Sequence, residues 1–238
     1  MKYVVANWKM NPTKLLDAER LLSNIEKHLP GGTKKERIIV AAPFLFLHPL
    51  AHIANKVSLA AQNVFWEQSG AFTGEISPEM LRHLGLRYVM VGHSERRLHN
   101  LEDQKVINRK VDAALAAGLR PILAVGTTKR TVSAATVELR AQLRHVSRIS
   151  PAKRARLLIA FEPLFAIGSG KPADPDYVAM AAQQIHRIID VPVLYGGSVD
   201  DATAHEYLKQ KSVAGVLVGS ASLNARIFAA IVRTALKA

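Results

Sequence analysis

Short apolar runs recur along the chain, and a longer segment, in most cases with helical periodicity, follows each of them. Their starts lie roughly 19–35 residues apart, about the length of a strand plus the crossover helix of a βαβ unit. The runs are apolar throughout rather than alternating, which is typical of parallel strands covered on both faces. The eight predicted strands are Tyr3–Ala6, Ile38–Ala42, Val57–Ala61, Tyr88–Val91, Ile122–Val125, Leu157–Phe161, Val191–Tyr195 and Val216–Val218.

The segments between these strands predict helices. Leu15–His28 has apolar residues at helical spacing on one side and charged or polar residues on the other. Ser77 followed by Pro78 is a favourable helix start and predicts a helix at Glu79–Leu84. Gly118 is a natural stop for a helix before the fifth strand. Further helices are predicted at Val111–Ala117, Ala204–Gln210 and Ile227–Leu236.

Eight strand-then-helix units in 238 residues predict a closed (β/α)8 barrel that forms a single α/β domain over residues 1–238. An open, doubly wound sheet is the alternative, and periodicity alone does not exclude it. The absence of a G-x-G-x-x-G sequence after the first strand favours the barrel. In such barrels the functional residues lie on the loops that follow the C-terminal ends of the strands.

Composition narrows the functional classes. The chain has no Cys, which excludes disulfides, thiolate nucleophiles, zinc fingers and cysteine-ligated iron–sulfur clusters. No apolar stretch reaches the ~18 residues of a membrane span, and polar residues follow the first strand too early for a signal peptide. We therefore expect a soluble protein, located in the cytoplasm, that is not inserted in a membrane.

The formal net charge is +13, which leaves anionic substrates, nucleic acid and anionic membranes open as partners. The segment Lys129–Arg156 is strongly basic, with Glu138 as its one acidic residue. A solvated outer helix face explains this segment as well as a binding surface does. Nucleic-acid binding is disfavoured, because neither a supporting motif nor aromatic stacking residues accompany the charges.

Polar side chains stand where three of the predicted strands end. Lys9, with Asn7 beside it, follows the first strand, and either meets an anion or extends to solvent. His93 follows the fourth strand and precedes Ser94, so that a helix N-terminus would favour its neutral form; a core histidine bonded to backbone is the alternative. Glu162 ends the sixth strand and is a candidate general base.

Glycine-bearing loops follow the last three strands. The segment Pro163–Lys171 begins with a rigid Pro and contains Gly168 and Gly170, which suits either a mobile lid or an ordinary flexible loop. Turns with Gly196-Gly197-Ser198 and Gly219-Ser220 follow the seventh and eighth strands, where barrels often bind phosphate through backbone N–H groups.

His48 and His52 stand four residues apart, but the zincin glutamate and a third ligand are missing. We therefore expect these two histidines to lie on a helix surface rather than to bind a metal.

Taken together, these motifs identify a resemblance. From Asn7-Trp8-Lys9-Met10-Asn11 through Gly92-His93-Ser94-Glu95-Arg96-Arg97 to Gly219-Ser220-Ala221-Ser222-Leu223, the chain resembles the triosephosphate isomerase family over nearly its whole length. The resemblance implies the TIM barrel fold. It also implies interconversion of dihydroxyacetone phosphate and D-glyceraldehyde 3-phosphate through an enediolate, in glycolysis and gluconeogenesis, without a cofactor or metal.

The resemblance also implies residue roles. Glu162 would transfer the proton between adjacent carbons, and His93 would polarise the carbonyl. Lys9 and Asn7 would stabilise the oxyanion, and Glu95 would hold Lys9 in place. Backbone N–H groups of Gly168, Ser198, Gly219 and Ser220 would bind the substrate phosphate, and Pro163–Lys171 would close as a lid.

Two further expectations follow from the resemblance. The segment Gln62–Glu75 corresponds to a long third loop through which relatives form homodimers, and its aromatic residues predict the same interface here; folding back onto its own barrel is the alternative. Phe165 and Thr127 replace a Trp and a Glu that are common in the family, so we expect packing of Phe165 to hold the open lid.

Two alternatives differ in function on the same fold. A catalytically idle barrel could use the basic Lys129–Arg156 face to bind nucleic acid or a protein partner, but such a module has no use for Glu162, His93 and Lys9 together. Another sugar-phosphate isomerase would keep the phosphate site but should have a different pocket. A turnover assay separates the three.

Overall fold

The chain forms a closed barrel of eight parallel strands in strict sequence order. The structure, a computed structural model, describes residues 2–167 and 171–238. Each strand pairs in parallel with the next, and β8 closes the barrel on β1, for example at Val5 beside Leu217. The strands are β1 (Tyr3–Asn7), β2 (Ile38–Ala42), β3 (Ser58–Ala61), β4 (Tyr88–Val91), β5 (Arg120–Thr127), β6 (Leu158–Pro163), β7 (Val193–Tyr195) and β8 (Gly215–Val218). The predicted (β/α)8 TIM barrel is confirmed, and the open sheet is excluded.

Helices cover the outside of the barrel and connect successive strands. Ten helices fall within the described part of the chain: α1 (Leu15–His28), α2 (Phe44–Ile53), α3 (Pro78–His83), α4 (Ser94–His99), α5 (Gln104–Ala116), α6 (Val132–Leu143), α7 (Pro151–Arg154), α8 (Pro175–Ile188), α9 (Ala204–Leu208) and α10 (Ala225–Lys237). Short 3-10 turns lie at Lys35–Arg37, Val146–Arg148, Leu164–Ala166 and Ser220–Leu223.

The fifth strand and the helix before it were predicted too short. The fifth strand extends to Arg120 and Thr127, beyond the predicted Ile122–Val125, because its polar ends still pair with β4 and β6. The helix predicted from Val111 begins at Gln104, because the Asp103 side chain accepts the Val106 N–H and caps it. Both differences arise from polar residues at element ends, which an apolar pattern does not register.

The core has two layers, one inside the barrel and one between the strands and the helices. Alternate residues of each strand supply the two layers: Val5 and Ile39 point inward, whereas Val4 and Val40 pack against helices. This double burial explains why the strands read as uninterrupted apolar runs.

Parallel pairing brings all eight C-terminal strand ends to one mouth of the barrel, so that Asn7 on β1 and Glu162 on β6 share that mouth. His48 and His52 lie exposed on α2, as predicted. Among residues 2–167 and 171–238, no helix combines the length and apolar character needed to cross a membrane.

Candidate active site

The site begins at the end of β1, where the backbone adopts an uncommon conformation. Lys9 has φ of +53°, a left-handed conformation that is strained for a residue with a side chain. Two hydrogen bonds stabilise it: the Lys9 N–H donates to Asn7 Oδ1 at 3.0 Å, and Gln62 Nε2 donates to the Lys9 carbonyl at 2.8 Å. The turn directs the Lys9 side chain into the barrel mouth.

The Lys9 ammonium is paired with Glu95, as the resemblance implies. Lys9 Nζ lies 2.5 Å from Glu95 Oε1, and both side chains remain partly exposed. Glu95 lies in the first turn of α4, two residues after His93, which caps that helix. The pair therefore fixes the position of a cation at the cavity while leaving it accessible to an anion.

His93 caps the N-terminus of α4. Its Nδ1 accepts the Glu95 N–H at 3.3 Å, so Nδ1 carries no proton and a neutral ring holds its proton on Nε2. Nε2 lies 3.4 Å from Asn7 Nδ2 and 3.1 Å from Glu162 Oε1. The ring thus presents a neutral N–H donor between the ends of β1 and β6.

Glu162 lies on β6 and is 2% exposed. Its Oε2 accepts the Ser94 N–H at 3.0 Å, whereas Oε1, despite its closeness to His93, makes no aligned hydrogen bond to a described residue. Burial raises the pKa of this carboxyl, and His93, the Ser94 backbone N–H and Arg97 oppose the rise. The result is a carboxylate that is more basic than usual and has one oxygen unpaired.

Arg97 is a residue of this site that the sequence analysis did not single out. Its Nε donates to the Gly92 carbonyl at 2.8 Å and its Nη2 to the Ala124 carbonyl at 3.0 Å. Burial lowers its pKa, and the carboxylates of Glu162 and Glu102 oppose that fall. Arg97 therefore joins β4 to β5 and places positive charge near Glu162. Its only sequence signal is its place in the run after His93.

The phosphate-binding residues named from sequence lie at the ends of β7 and β8. Ser198, Gly219 and Ser220 line a cavity of about 540 Å³ together with Lys9 and His93. Gly219 precedes the 3-10 turn Ser220–Leu223, whose first N–H groups have no partner within the turn. Gly168, the fourth such residue, lies outside the described residues.

Asn7 also lines the cavity, whereas Glu162 and Glu95 stand beside it. The Glu162 side chain lies behind Gly196, and its carboxylate is turned toward Ser94. The structure thus collects Asn7, Lys9, His93, Glu95, Glu162, Ser198, Gly219 and Ser220 at one mouth of the barrel.

Two tyrosine hydroxyls, which the sequence analysis did not single out, hold the backbone after the predicted lid. The Tyr195 hydroxyl accepts the Ala173 N–H at 3.1 Å, and the Tyr207 hydroxyl donates to the Ala173 carbonyl at 2.6 Å. The two rings stack with centroids 4.0 Å apart. A Cβ at Gly197 would lie 2.2 Å from the Tyr195 hydroxyl oxygen, so only glycine fits there.

The other end of the predicted lid is held by packing. The Phe165 ring contacts the Arg130 guanidinium, 4.6 Å from the ring centre, and the Tyr177 ring at 5.6 Å. Thr127 donates a 2.6 Å hydrogen bond to Glu138 of α6. A carboxylate therefore lies beside position 127, although it belongs to α6 and not to residue 127 itself. The packing expected for Phe165 is present; its effect on lid closure stays a prediction.

The segment Gln62–Glu75 packs partly on itself. The Phe65 ring stacks on Trp66 at 4.0 Å and contacts Phe72 at 4.8 Å, while Arg109 lies over Trp66. Phe72 nevertheless remains 43% exposed.

In the described residues, no group of three or more His, Cys, Asp or Glu side chains is arranged to hold a metal ion.

Comparison with known proteins gives a consistent result. A family model described as Triosephosphate isomerase matches residues 2–235. A protein named Triosephosphate isomerase from Gloeobacter violaceus is 38% identical over 236 residues, covering 97% of each chain. Proteins of the same name from Xylella fastidiosa, 40% identical over 247 residues with 98% of each chain covered, and Xanthomonas campestris, 39% identical over 253 residues with 98% of each, are similarly related.

Proposed function

The chain belongs to the triosephosphate isomerase family, and on that basis we propose that it interconverts dihydroxyacetone phosphate and D-glyceraldehyde 3-phosphate. The observation that carries this proposal is the meeting of a buried carboxylate, a neutral imidazole and an ammonium at one cavity. A role in glycolysis and gluconeogenesis, and with it a cytoplasmic location, is part of the same proposal.

Glu162 is the proposed base. Moving a proton between two adjacent carbons needs one group that accepts it from the first and returns it to the second. A carboxylate with a raised pKa holds that proton better than an exposed one does. Once its Oε2 leaves the Ser94 N–H, the side chain can turn toward the substrate carbons in the cavity.

His93 and Lys9 stabilise the enediolate. The neutral His93 ring donates its Nε2 proton to the substrate carbonyl oxygen, where negative charge develops. Lys9 and Asn7 supply further positive charge and a hydrogen bond, and Glu95 holds Lys9 in place. These groups are positioned before the substrate arrives, so little reorganisation opposes the reaction.

Backbone N–H groups bind the phosphate. Ser198, Gly219 and Ser220 line the end of the cavity formed by the loops after β7 and β8, and Gly168 completes the proposed set. Closure of Pro163–Lys171 would exclude water and retain the intermediate, which could otherwise lose its phosphate. No cofactor or metal enters this scheme.

We also propose that the protein is a homodimer. Large apolar side chains are exposed on the connections that follow β1 to β4, which are neighbours in the barrel: Met10, Phe44, Leu45, Phe72, Leu98 and Leu101. Clustered apolar exposure of this kind marks an interface. A two-fold contact through Gln62–Glu75 would cover it.

A coupled assay with D-glyceraldehyde 3-phosphate, and with dihydroxyacetone phosphate in the reverse direction, tests the activity. Glu162→Asp retracts the carboxylate by about 1 Å, and a displacement of that size costs ~10²-fold in rate, so kcat should fall far more than KM rises. The control, Glu206→Asp, makes the same change on the exposed surface of α9. Turnover close to wild type in Glu162→Asp would remove this residue from the role of base; turnover of a different sugar phosphate would reassign the substrate.

A further inference from the structure

Basic residues stand at the starts of the strands, at the mouth opposite the cavity. Arg37 directly precedes β2, Arg87 directly precedes β4, and Arg120 is the first residue of β5. Because the strands are parallel and the barrel is closed, all three lie around one opening, which we call the N-terminal mouth. Tyr3 and Asn7 begin and end β1, so this opening lies ~13 Å from the cavity along the strand.

Two buried tyrosines form the floor of the N-terminal mouth. Tyr3 and Tyr88 belong to the layer inside the barrel and are 4% and 0% exposed. The Arg37 guanidinium carbon lies 4.1 Å from the centre of the Tyr3 ring. Arg120 Nη1 donates to the Tyr88 hydroxyl at 3.1 Å, and Nη2 donates to the Tyr3 hydroxyl at 3.4 Å. The two guanidinium groups are thus held beside each other on one tyrosine.

No carboxylate of the described chain neutralises these arginines. None of the ion pairs formed by residues 2–167 and 171–238 includes Arg37, Arg87 or Arg120. The charges around the Tyr88 hydroxyl are likewise positive. Burial raises the pKa of this hydroxyl, and Arg120, Arg87 and Arg37 lower it, whereas no carboxylate of the described residues affects it.

The unused hydrogen-bonding capacity at this mouth consists of donors. The Tyr88 hydroxyl donates a hydrogen bond to the Glu36 carbonyl at 2.8 Å. The Tyr3 hydroxyl accepts from Arg120, and no acceptor for its proton is found in the part of the chain that the structure describes. A guanidinium has five N–H groups and no acceptor. By contrast, Lys2, which precedes β1, is already bonded to the carbonyls of Gln210 and Val213.

We propose that the N-terminal mouth is a second ligand site, in which Arg37, Arg87, Arg120 and the Tyr3 hydroxyl bind a chain of two or three linked phosphate groups. Guanidinium forks match phosphate oxygens in pairs, and three of them suit several adjacent phosphates better than one. The rings of Tyr3 and Tyr88 are buried and cannot stack on bases, so the site recognises phosphate and not nucleic acid. Phosphate binding at this mouth also assigns a function to part of the formal net charge of +13.

The test is calorimetric titration of the whole protein with tripolyphosphate, while saturating glycerol 3-phosphate occupies the cavity at the other mouth. Arg87→Gln changes an exposed side chain and should weaken binding by about fivefold or more, as loss of one charge-assisted contact implies. Arg37→Gln should do the same. The control is Arg140→Gln, which makes the same charge change at an exposed position of α6. Its affinity for tripolyphosphate should stay within about twofold of wild type.

Parallel titrations with ATP and adenosine distinguish the sources of the phosphate chain. Equal affinity for ATP and tripolyphosphate assigns the site to the chain itself, tighter binding of ATP assigns it to nucleotides, and both support the proposal. Equal weakening by Arg87→Gln, Arg37→Gln and Arg140→Gln would show a diffuse charge effect and overturn it. The proposal would also be overturned if saturating glycerol 3-phosphate abolished the binding of tripolyphosphate. Tighter binding of adenosine than of tripolyphosphate would overturn it as well.

Discussion

At Glu162, burial and the neighbouring polar groups act on the same carboxyl in opposite directions. Burial raises its pKa, while His93 and the Ser94 N–H favour the ionised form less strongly. A base must be ionised to accept a proton, so kcat/KM should fall as the pH drops through this raised pKa, above the ~4.3 of an ordinary Glu. A pH–rate profile of the free enzyme measures this. An acid limb at or below the ordinary value would contradict the burial argument.

The same pKa shift predicts a stability effect. A carboxyl whose folded-state pKa is raised adds stability at pH below the unfolded pKa, and loses it as the pH rises through the folded pKa. At neutral pH the ionised Glu162 therefore destabilises the fold. Glu162→Gln should unfold at a higher temperature than wild type at pH 7, by roughly 2–4 °C per kcal/mol relieved, with the difference shrinking toward pH 4.

Glu206→Gln is the control for that measurement. The pKa of Glu206 is lowered, chiefly by its hydrogen bond with Lys209. Because this pKa shift is opposite in sign to that of Glu162, removing the charge should not raise Tm. A lower Tm for Glu162→Gln than for wild type at pH 7 would show that His93 and Ser94 outweigh burial.

Between elements, a buried charged group joins α4, α5 and the third loop. Glu102 Oε1 lies 2.6 Å from Lys110 Nζ and 2.5 Å from Arg96 Nε, and Lys110 also donates to Asn63 at 2.8 Å. Burial lowers the pKa of Lys110, and Glu102 opposes that fall. Glu102→Gln leaves this cation buried without its partner and should destabilise the protein by roughly 3–5 kcal/mol in urea unfolding.

The matched control is Glu67→Gln, which breaks the exposed 3.0 Å pair with Arg109. Exposed pairs contribute about 0–1 kcal/mol, so this variant should unfold close to wild type. Equal losses in the two variants would show that burial of the Glu102 group has no special weight.

At the C-terminal end of the predicted lid, Tyr207→Phe removes the hydroxyl that donates to the Ala173 carbonyl. The carbonyl is left without that donor in a buried place, which should cost roughly 1–2 kcal/mol of stability. Because Ala173 directly follows Pro172, which lines the cavity, we also expect KM to rise. Ser212→Ala, which removes a hydroxyl that donates to the Ala179 carbonyl of α8, should lower stability without changing KM. An unchanged KM in Tyr207→Phe would separate this contact from substrate binding.

For the whole molecule, the distribution of exposed apolar side chains predicts the assembly state. Leu45 is 79% exposed and Phe72 43%, both on the β1–β4 side of the barrel. Light scattering at micromolar concentration should give a dimer for wild type and a monomer for Leu45→Glu, because charges are excluded from interface cores. Val137→Glu, at an equally exposed position (70%) on α6, should stay dimeric. A monomeric, fully active wild type would end the dimer proposal.

Local patterns in the sequence were enough to predict the architecture and the chemical types at the cavity. Eight apolar runs with helices between them lead to the observed barrel, because double burial and helical periodicity are local patterns. Since parallel strands end at one mouth, Lys9, His93 and Glu162 could be expected together from their positions after strands. The strand and helix ends were less accurate, because polar caps and edge pairings set them.

Which polar atoms meet, by contrast, depends on the packing of elements that are distant in the sequence. Glu162 bonds to Ser94, 68 residues away, Arg97 bonds to the Ala124 carbonyl, and Tyr207 reaches Ala173. Such contacts depend on side-chain directions and on distances of about 3 Å between elements, which periodicity does not encode. The arginines at the N-terminal mouth are a finding of the same kind. Their charge is visible in the sequence, whereas the absence of a neighbouring carboxylate among the described residues is a property of the fold.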